Sequence, residues 1–349
     1  MAAGGYREFL AGEILTEDLI NDYLMQGVLV FAGTAARGSA IGTAVEGQFA
    51  FLKDSDQLTY YSGSAWEVLE SETPYATIST TPTGTYNDGT FDYDFWIFKS
   101  NSTLTVTSAG RIDYLIVGGG ATGNSNNTLS NVGGGGAGGV IQSAEYAQIL
   151  AGSYAIAIGA GGAATTVTPG SNNGSNSSIA SVGTAIGGGG ASNRGVAGVS
   201  GGCGGGGGDD NGVVNARLIG GDGTFAQGFR GGFGAGNGGG GGGAGANGTD
   251  DGGAGGVGRT STIIPSGTAT LEAVGQVSGG VVYFAGGGGG GAALAAGGLG
   301  GGGAAAANDG RSANCAANTG GGSGASDTTQ GSPYAGAGGS GVVIVRTRV

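Results

Sequence analysis

The stretch from Gly231 to Gly258 reads GGFGAGNGGGGGGAGANGTDDGGAGGVG. It carries almost no side chain that could be buried, so it cannot form an ordinary hydrophobic core. Three outcomes remain open to such a chain: a flexible linker, a phosphate-binding loop, or backbone that packs on backbone. Glycine accounts for 90 of the 349 residues, and only 11 of these lie in residues 1–97. Composition therefore marks a boundary near residue 98. Collagen is excluded, because glycine does not recur strictly at every third position and proline totals 5. A flexible linker would not carry YLIV (114–117), YAIAI (154–158), VVYFA (281–285) and VVIVR (342–346) between its glycine runs. Those segments read as strands and need partners, which puts the runs inside a folded unit. Side by side, extended threefold glycine segments can satisfy their N–H and C=O groups on one another.

Charge narrows the function. Charged residues make up 10% of the chain and the net charge is -12. Nucleic acid is not an expected partner, because no basic patch would supply the binding energy. Histidine is absent, which removes the commonest metal ligand and the usual general base. Cys203 and Cys315 sit in separate glycine-rich loops without CxxC spacing; they read as idle thiols or as one disulfide. The N-terminus MAAGGYREFLAGE lacks the pattern of a signal peptide, and no apolar run approaches the ~18 residues of a membrane span. The expectation is a chain made in the cytoplasm without a secretory signal.

Along the chain, residues 1–45 hold LTEDLINDYLMQG. Thr16 reads as an N-cap, Glu17 and Asp18 as first-turn acids, and Gly27 as the stop of a short helix. Leu19, Ile20, Tyr23 and Leu24 share one face of it, too small to be buried alone. Val28–Phe31 reads as a strand. Residues 46–70 form an expected antiparallel meander, with strands at Gln48–Leu52, Leu58–Tyr61 and Trp66–Leu69 around turns at Asp54–Asp56 and Ser62–Ser64. Residues 71–90, with Pro74 and Pro82, read as a linker or an extended edge. Residues 91–349 then form a glycine-rich domain. Its entry is a β framework in which Phe91, Tyr93 and Phe95 alternate with Asp92 and Asp94. Later strands are expected at Gly139–Ser143, Ser153–Ile158, Thr268–Val274, Val281–Ala285 and Gly341–Val349. The fold class is mostly β: a small N-terminal helix and meander, then a β/polyglycine-helix domain.

Two chemical motifs are weak. Gly118, Gly120 and Gly123 match a dinucleotide fingerprint after a strand, but NSNNTLSNVGGGG cannot form the helix that would follow, and the first acidic residue is Glu145. Asp209-Asp210, Asp222 and Asp250-Asp251 offer oxygen ligands for calcium, yet the nonapeptide repeat of a calcium-binding roll is missing, so they read as turn residues. No catalytic residue, metal site or cofactor is expected.

The segments RIDYLIVGGGATGN, LAGSYAIAIGAGGAATTV, NNGSNSSIASVGTAIGGGG and GAGGSGVVIVRTRV resemble the glycine-rich domain of bacteriophage tail fibres. The likeness covers roughly residues 95–349. It extends to the fibre-tip adhesins of T-even-like phages, in which threefold glycine helices stack into a sandwich and variable loops touch the receptor. The N-terminal segment is similar to the start of phage minor tail and fibre proteins. The resemblance implies a virion protein, a tail fibre or short spike that is an intertwined homotrimer. Residues 1–45 would attach it to other tail or capsid proteins, with Tyr6, Phe9, Leu19, Ile20, Tyr23 and Leu24 as the contact residues. The partner at the other end would be a host surface glycan or outer-membrane protein. The recognition residues expected in the loops are Asn172, Asn173, Asn176, Asp209, Asp210, Asn211, Phe225, Phe229, Phe233, Asn308, Asp309, Arg311 and Asn314. The alternatives are a purely structural capsid or tail decoration fibre, and a surface-polysaccharide depolymerase.

Overall fold

The computed structural model describes residues 14, 16, 28–69, 74–126, 132–143, 147–165, 171–209, 218–291, 294–306, 310–327 and 334–349. The helix expected over Thr16–Gly27, with Tyr6, Phe9, Leu19, Ile20, Tyr23 and Leu24, lies outside these residues. The chain divides into two units, Met1–Thr73 and Pro74–Val349.

The first unit is a four-stranded sheet of order β1-β2-β3-β4: β1 (Leu29–Phe31), β2 (Phe49–Leu52), β3 (Gln57–Tyr61) and β4 (Trp66–Val68). The last three strands are the antiparallel meander read from the sequence. Sequence reading placed β1 apart from it, yet β1 pairs with β2 in parallel. A parallel pair needs a crossover, and the helix α1 (Thr34–Ala40) supplies it. Gly33, just before α1, faces the Asp54 carboxylate so closely that a β-carbon there would collide with it. The sheet buries Ala50, Leu52 and Thr59.

The second unit is mostly β, and it opens with two sheets. One has the order β11-β9-β20-β7-β6, from β6 (Gly84–Asn87), β7 (Asp92–Phe98), β9 (Gly110–Val117), β11 (Val140–Gln142) and β20 (Val342–Arg348), with β12 (Ala147–Ile149) also on β9. The other runs β15-β14-β13-β8-β5, from β5 (Thr77–Ile78), β8 (Ser102–Ser108), β13 (Gly152–Ala157), β14 (Ser177–Ile179) and β15 (Gly183–Ala185). Of the two readings of residues 71–90, the extended edge describes 74–90, since β5 and β6 are the outer strands of these sheets. Side chains alternate across β7 and β20 with a period of two. Trp96, Phe98, Val343 and Val345 pack with Leu104, Val106, Ile156 and Ile179 of the second sheet. Phe95, Val342 and Ile344 point the other way, into a second core with Ile263, Ile264, Val282 and Phe284.

That second core is covered by an inserted three-stranded sheet, β16 (Arg259–Ser261), β18 (Val281–Phe284) and β17 (Gln276–Ser278), with the helix α2 (Ser266–Leu271) between β16 and β17. The strand expected at Thr268–Val274 is incorrect, because most of this segment is α2. Pro265 fixes the start of the helix, while Ala273 and Gly275 turn the chain at φ 50° and 63°. Only Ala269 of α2 is buried and Leu271 is exposed, so its apolar residues do not mark the alternating face of a strand. Pro265 and Gly275 were readable as helix punctuation.

The glycine runs form neither sheet nor α-helix. The run Val132–Gly139 shows their rule. Gly133, Gly136 and Gly139 donate their N–H groups to Ser192, Gly189 and Ile186. Gly134 and Ala137 donate to Gly239 and Gly242, and Gly135 and Gly138 to Ser323 and Gly320. Its carbonyls accept from a run at Gly118–Asn124, a run at Cys203–Gly206 and Gly288. Neighbours that make more than one bond to it do so at every third residue, which is the repeat of a left-handed threefold helix. Three runs accept from Val132–Gly139 and three donate to it, so it has six neighbours, where a strand has two. The run Gly238–Ala244 is surrounded in the same way. It donates to 204–207, 246–249 and 285–288, and it accepts from 134–137, 229–232 and 252–256. The packing is too close for a side chain: a β-carbon at Gly136 or Gly288 would stand within 3.0 Å of a neighbouring carbonyl. The remaining pair of strands, β10 (Ser125–Asn126) and β19 (Ser326–Asp327), extends two of these runs in parallel.

Overpacking normally costs about 1–3 kcal/mol, and here the obstacle is backbone on every side. Gly136→Ala is therefore expected to lose at least ~3 kcal/mol by chemical denaturation. Gly267 lies in α2, and a β-carbon added there would meet nothing within 4 Å. Gly267→Ala is accordingly expected to gain about 0.5 kcal/mol. Equal effects of the two substitutions would contradict the lattice.

Candidate functional site

The register of the runs sorts the lattice into two ends. Strand β9 delivers the chain to Gly118, which bonds Gly139, while Asn124 at the end of the same run bonds Gly133. Ile186 and Gly320 stand with Gly139 and Gly138 at the sheet end. Ser192, Gly206 and Ser326 stand with Gly133 and Asn124 at the far end. Successive runs reverse direction, so the chain shuttles between the two. The described turns at the far end include Asn193–Val196, where Gly195 bonds Asp209, and the Leu218–Gly234 and Thr165–Ala335 bridges. Residues distant in sequence are thus gathered on one end of the lattice, opposite the sheets.

At the lattice rim, runs have N–H groups with no glycine neighbour to bond, and polar side chains take them. Asn173 Oδ1 accepts from Gly190 N–H at 2.7 Å, Asn176 Oδ1 from Gly187 N–H at 2.9 Å, and Asn314 Oδ1 from Ala337 N–H at 2.8 Å. Ser312, Ser323 and Ser177 hydroxyls accept from Gly336, Gly123 and Gly159. Gln276 Oε1 takes both Gly300 and Gly301.

The recognition residues expected from the sequence do not form a single patch. Asn172, Asp209, Phe233 and Arg311 stand toward the far end. Asn172 donates to Ala163 O at 2.7 Å. Asp209 is buried and pairs with Arg194 at 3.3 Å. Phe233 lies under the Arg230 guanidinium at 4.3 Å, and Arg311 covers Tyr334 at 5.3 Å. Asn173 and Asn314 lie along the runs. Asn176, Phe225 and Phe229 lie toward the sheet end, where Phe225 is 95% exposed. The spacing of four between the phenylalanines is therefore no shared face. Asp210, Asn211, Asn308 and Asp309 fall outside the described residues. Asp250 and Asp251 serve turns, accepting from Phe233 N–H and Asn237 N–H at 2.8 Å.

A polar cleft of about 220 Å³ lies on the β framework, lined by Asp113, Tyr114, Gln142, Ser143, Thr262, Ile263 and Arg346. Arg346 Nε donates to Asp113 at 2.9 Å and Nη1 to Tyr86 Oη at 2.6 Å, to Thr262 O and to Ile263 O. Its guanidinium also stacks on Tyr93. Burial disfavours the cation, but the bonds and charges from Tyr86 and Asp113 outweigh it and raise the Arg346 pKa. Burial raises that of Tyr86, against the lowering effect of Arg346. This cluster ties β6, β7, β9 and β20 to the inserted sheet. Sequence reading missed it because Tyr86, Asp113 and Arg346 share no local spacing.

Both cysteines are free, so the idle-thiol reading holds over the disulfide. Among the described residues, no helix is long and apolar enough to cross a membrane.

A lattice of threefold glycine helices on a β framework defines a class of protein in which backbone supplies the interior. A family model described as a glycine-rich domain matches residues 98–348, and the chain belongs to that family. No curated protein matches the sequence.

Arg346→Met is expected to lower stability by about 1–3 kcal/mol, because it strips partners from Asp113 and Tyr86. An unchanged melting curve would contradict this. Burial pushes the Cys203 thiol up to about 12, so almost no thiolate forms near neutral pH. In a Cys315→Ser background, an aromatic disulfide reagent should label Cys203 only after denaturant is added. Labelling of the native protein would show that the lattice opens.

Proposed function

We propose that the protein is a phage virion protein, a tail fibre or short spike, that binds the host cell surface through the turns at the far end of its lattice. The observation that carries this reading is the gathering of sequence-distant turns on one end. A lattice whose interior is backbone places little demand on those turns, so they are free to differ in sequence while the runs stay fixed. They are rich in Asn, Ser, Asp and Thr, which suit hydroxyl-rich glycans as well as a protein receptor. The resemblance to phage fibres adds that residues 1–45 attach to other tail or capsid proteins and that the fibre is a homotrimer.

A purely structural fibre is the second reading. It is favoured by Asn173, Asn176 and Asn314, whose side-chain oxygens are already bonded to lattice N–H groups. Adsorption separates the two. The purified protein is expected to bind host cells and to block infection in competition with the virion. An Arg311→Ala variant is expected to weaken binding while the melting curve is retained. Binding by neither protein would leave the structural fibre. Light scattering is expected to give three times the 32.8 kDa chain mass, and a monomer would sink the trimer.

A further inference from the structure

The polar cleft lies where the framework sheet is interrupted. Strands β11 and β12 both pair with β9, β11 at Leu115–Val117 and β12 at Gly110–Ile112, so Asp113 and Tyr114 fall between them. Ser143 takes both backbone groups of Tyr114: its N–H donates to Tyr114 O, and its hydroxyl accepts from Tyr114 N–H. Register sets the floor of the cleft. Gln142 stands opposite Leu115, and Arg346 opposite Asp113. Directly paired residues share a face, as do residues two apart on one strand. Asp113, Gln142 and Arg346 therefore project from the same face of the sheet. Thr262 and Ile263, in the segment that joins β16 to α2, form the opposite wall. Gln142 and Thr262 are exposed at the mouth. The side chains of Arg346 and Asp113 below them keep 19% and 31% exposure, so a small solute reaches the floor.

Arg346 uses only one oxygen of Asp113, Oδ2. Among the described residues, none donates to Oδ1 and none bonds the Gln142 carboxamide. The cleft thus offers a fixed acceptor beside an amide that both donates and accepts. Its charge selects against ions. An anion would meet Asp113 and a cation would meet Arg346, and the two neutralise each other. Its volume of about 220 Å³ is below the ~300 Å³ at which pockets for drug-sized ligands begin, so it holds one small unit. A hydroxyl both donates and accepts. A ring with hydroxyls on several sides therefore meets Oδ1, the carboxamide and the facing wall together, whereas a simple amide offers one donor edge and one acceptor. We propose that the cleft binds a single neutral sugar residue, with Asp113 Oδ1 and Gln142 as its hydrogen-bond partners. The cleft is on the β framework and not among the far-end turns, and the inference does not depend on the fibre reading.

Saturation-transfer NMR on the full-length chain tests this, with glucose, galactose and N-acetylglucosamine each titrated at millimolar concentrations. At least one of them is expected to give a saturable signal. Gln142→Ala removes one partner and is expected to weaken that sugar at least ~5-fold. Gln142→Trp fills the cleft and is expected to abolish the signal. Both variants are expected to keep the wild-type melting curve, because Gln142 is exposed. Arg311→Ala, at the far end of the lattice, is expected to leave the signal unchanged. No saturation by any of the three sugars would overturn the proposal. So would a signal that survives both Gln142 variants, and if that signal were lost in Arg311→Ala the sugar would belong to the far-end turns instead. Acetamide and sodium acetate serve as controls. Saturation by acetamide but by no sugar would overturn the choice of hydroxyl groups, and saturation by acetate would overturn the choice of a neutral ligand.

Discussion

The structure depends on one requirement: every backbone N–H and C=O removed from water must find a partner. In most folds side chains supply the attraction that brings backbones together. In the glycine runs that lie between residues 118 and 341 the side chains are missing, and the backbones approach one another directly. A sheet lets each strand bond two neighbours, and the threefold helix lets each run bond six. The exchange is costly, since ordering one residue takes about 1–2 kcal/mol and glycine loses the most freedom. A net hydrogen bond returns roughly 1 kcal/mol, with further gain from close Cα–H···O contacts of about 0.5–1 kcal/mol. The two sides nearly balance. A run such as Val132–Gly139 is therefore stable only with its full set of neighbours, and the lattice has no reason to form one run at a time.

That balance explains why the β framework is there. It contributes the hydrophobic burial the lattice lacks, through two cores on either face of the sheet holding β9 and β20. The two systems meet where side chains first become possible. Ala137, Cys203, Ala244 and Ala285 belong to lattice runs yet pack with Leu115, Val117 and Phe284. Small residues occupy this boundary because one side of each faces carbonyls and the other faces a core. The other margins of the lattice end on asparagine, serine and glutamine oxygens, which replace missing glycine carbonyls.

Much of this was legible. Glycine runs that alternate with YLIV, YAIAI and VVIVR already exclude a tether, and backbone packing is the remaining physical option. Strands β2 to β4, β7 and β20 follow from alternation and turn residues. The partners of the runs were not legible, because successive glycines are chemically identical and nothing local marks which run will lie beside which. The same blindness affected Asn173 and Asn176. Their sequence context suits a recognition loop and a lattice rim equally, and only the register shows Gly190 and Gly187 N–H groups bonded to them. Helix α2 was misread because apolar residues at 269, 271 and 274 resemble a buried strand until Pro265 and Gly275 are weighed. The short helix α1 was missed because TAARGSA carries no apolar stripe.

Arg37 and Arg346 show how far burial alone can guide a functional reading. Both are arginines set against an aromatic ring, and neither is distinguished by its sequence neighbours. Arg346 has Asp113, Tyr86 and two carbonyls around it, so its bonding capacity is used within its own unit and its role is to join sheets. Arg37 has one hydroxyl, of Thr59, and one ring, of Trp66, with a forked edge left over.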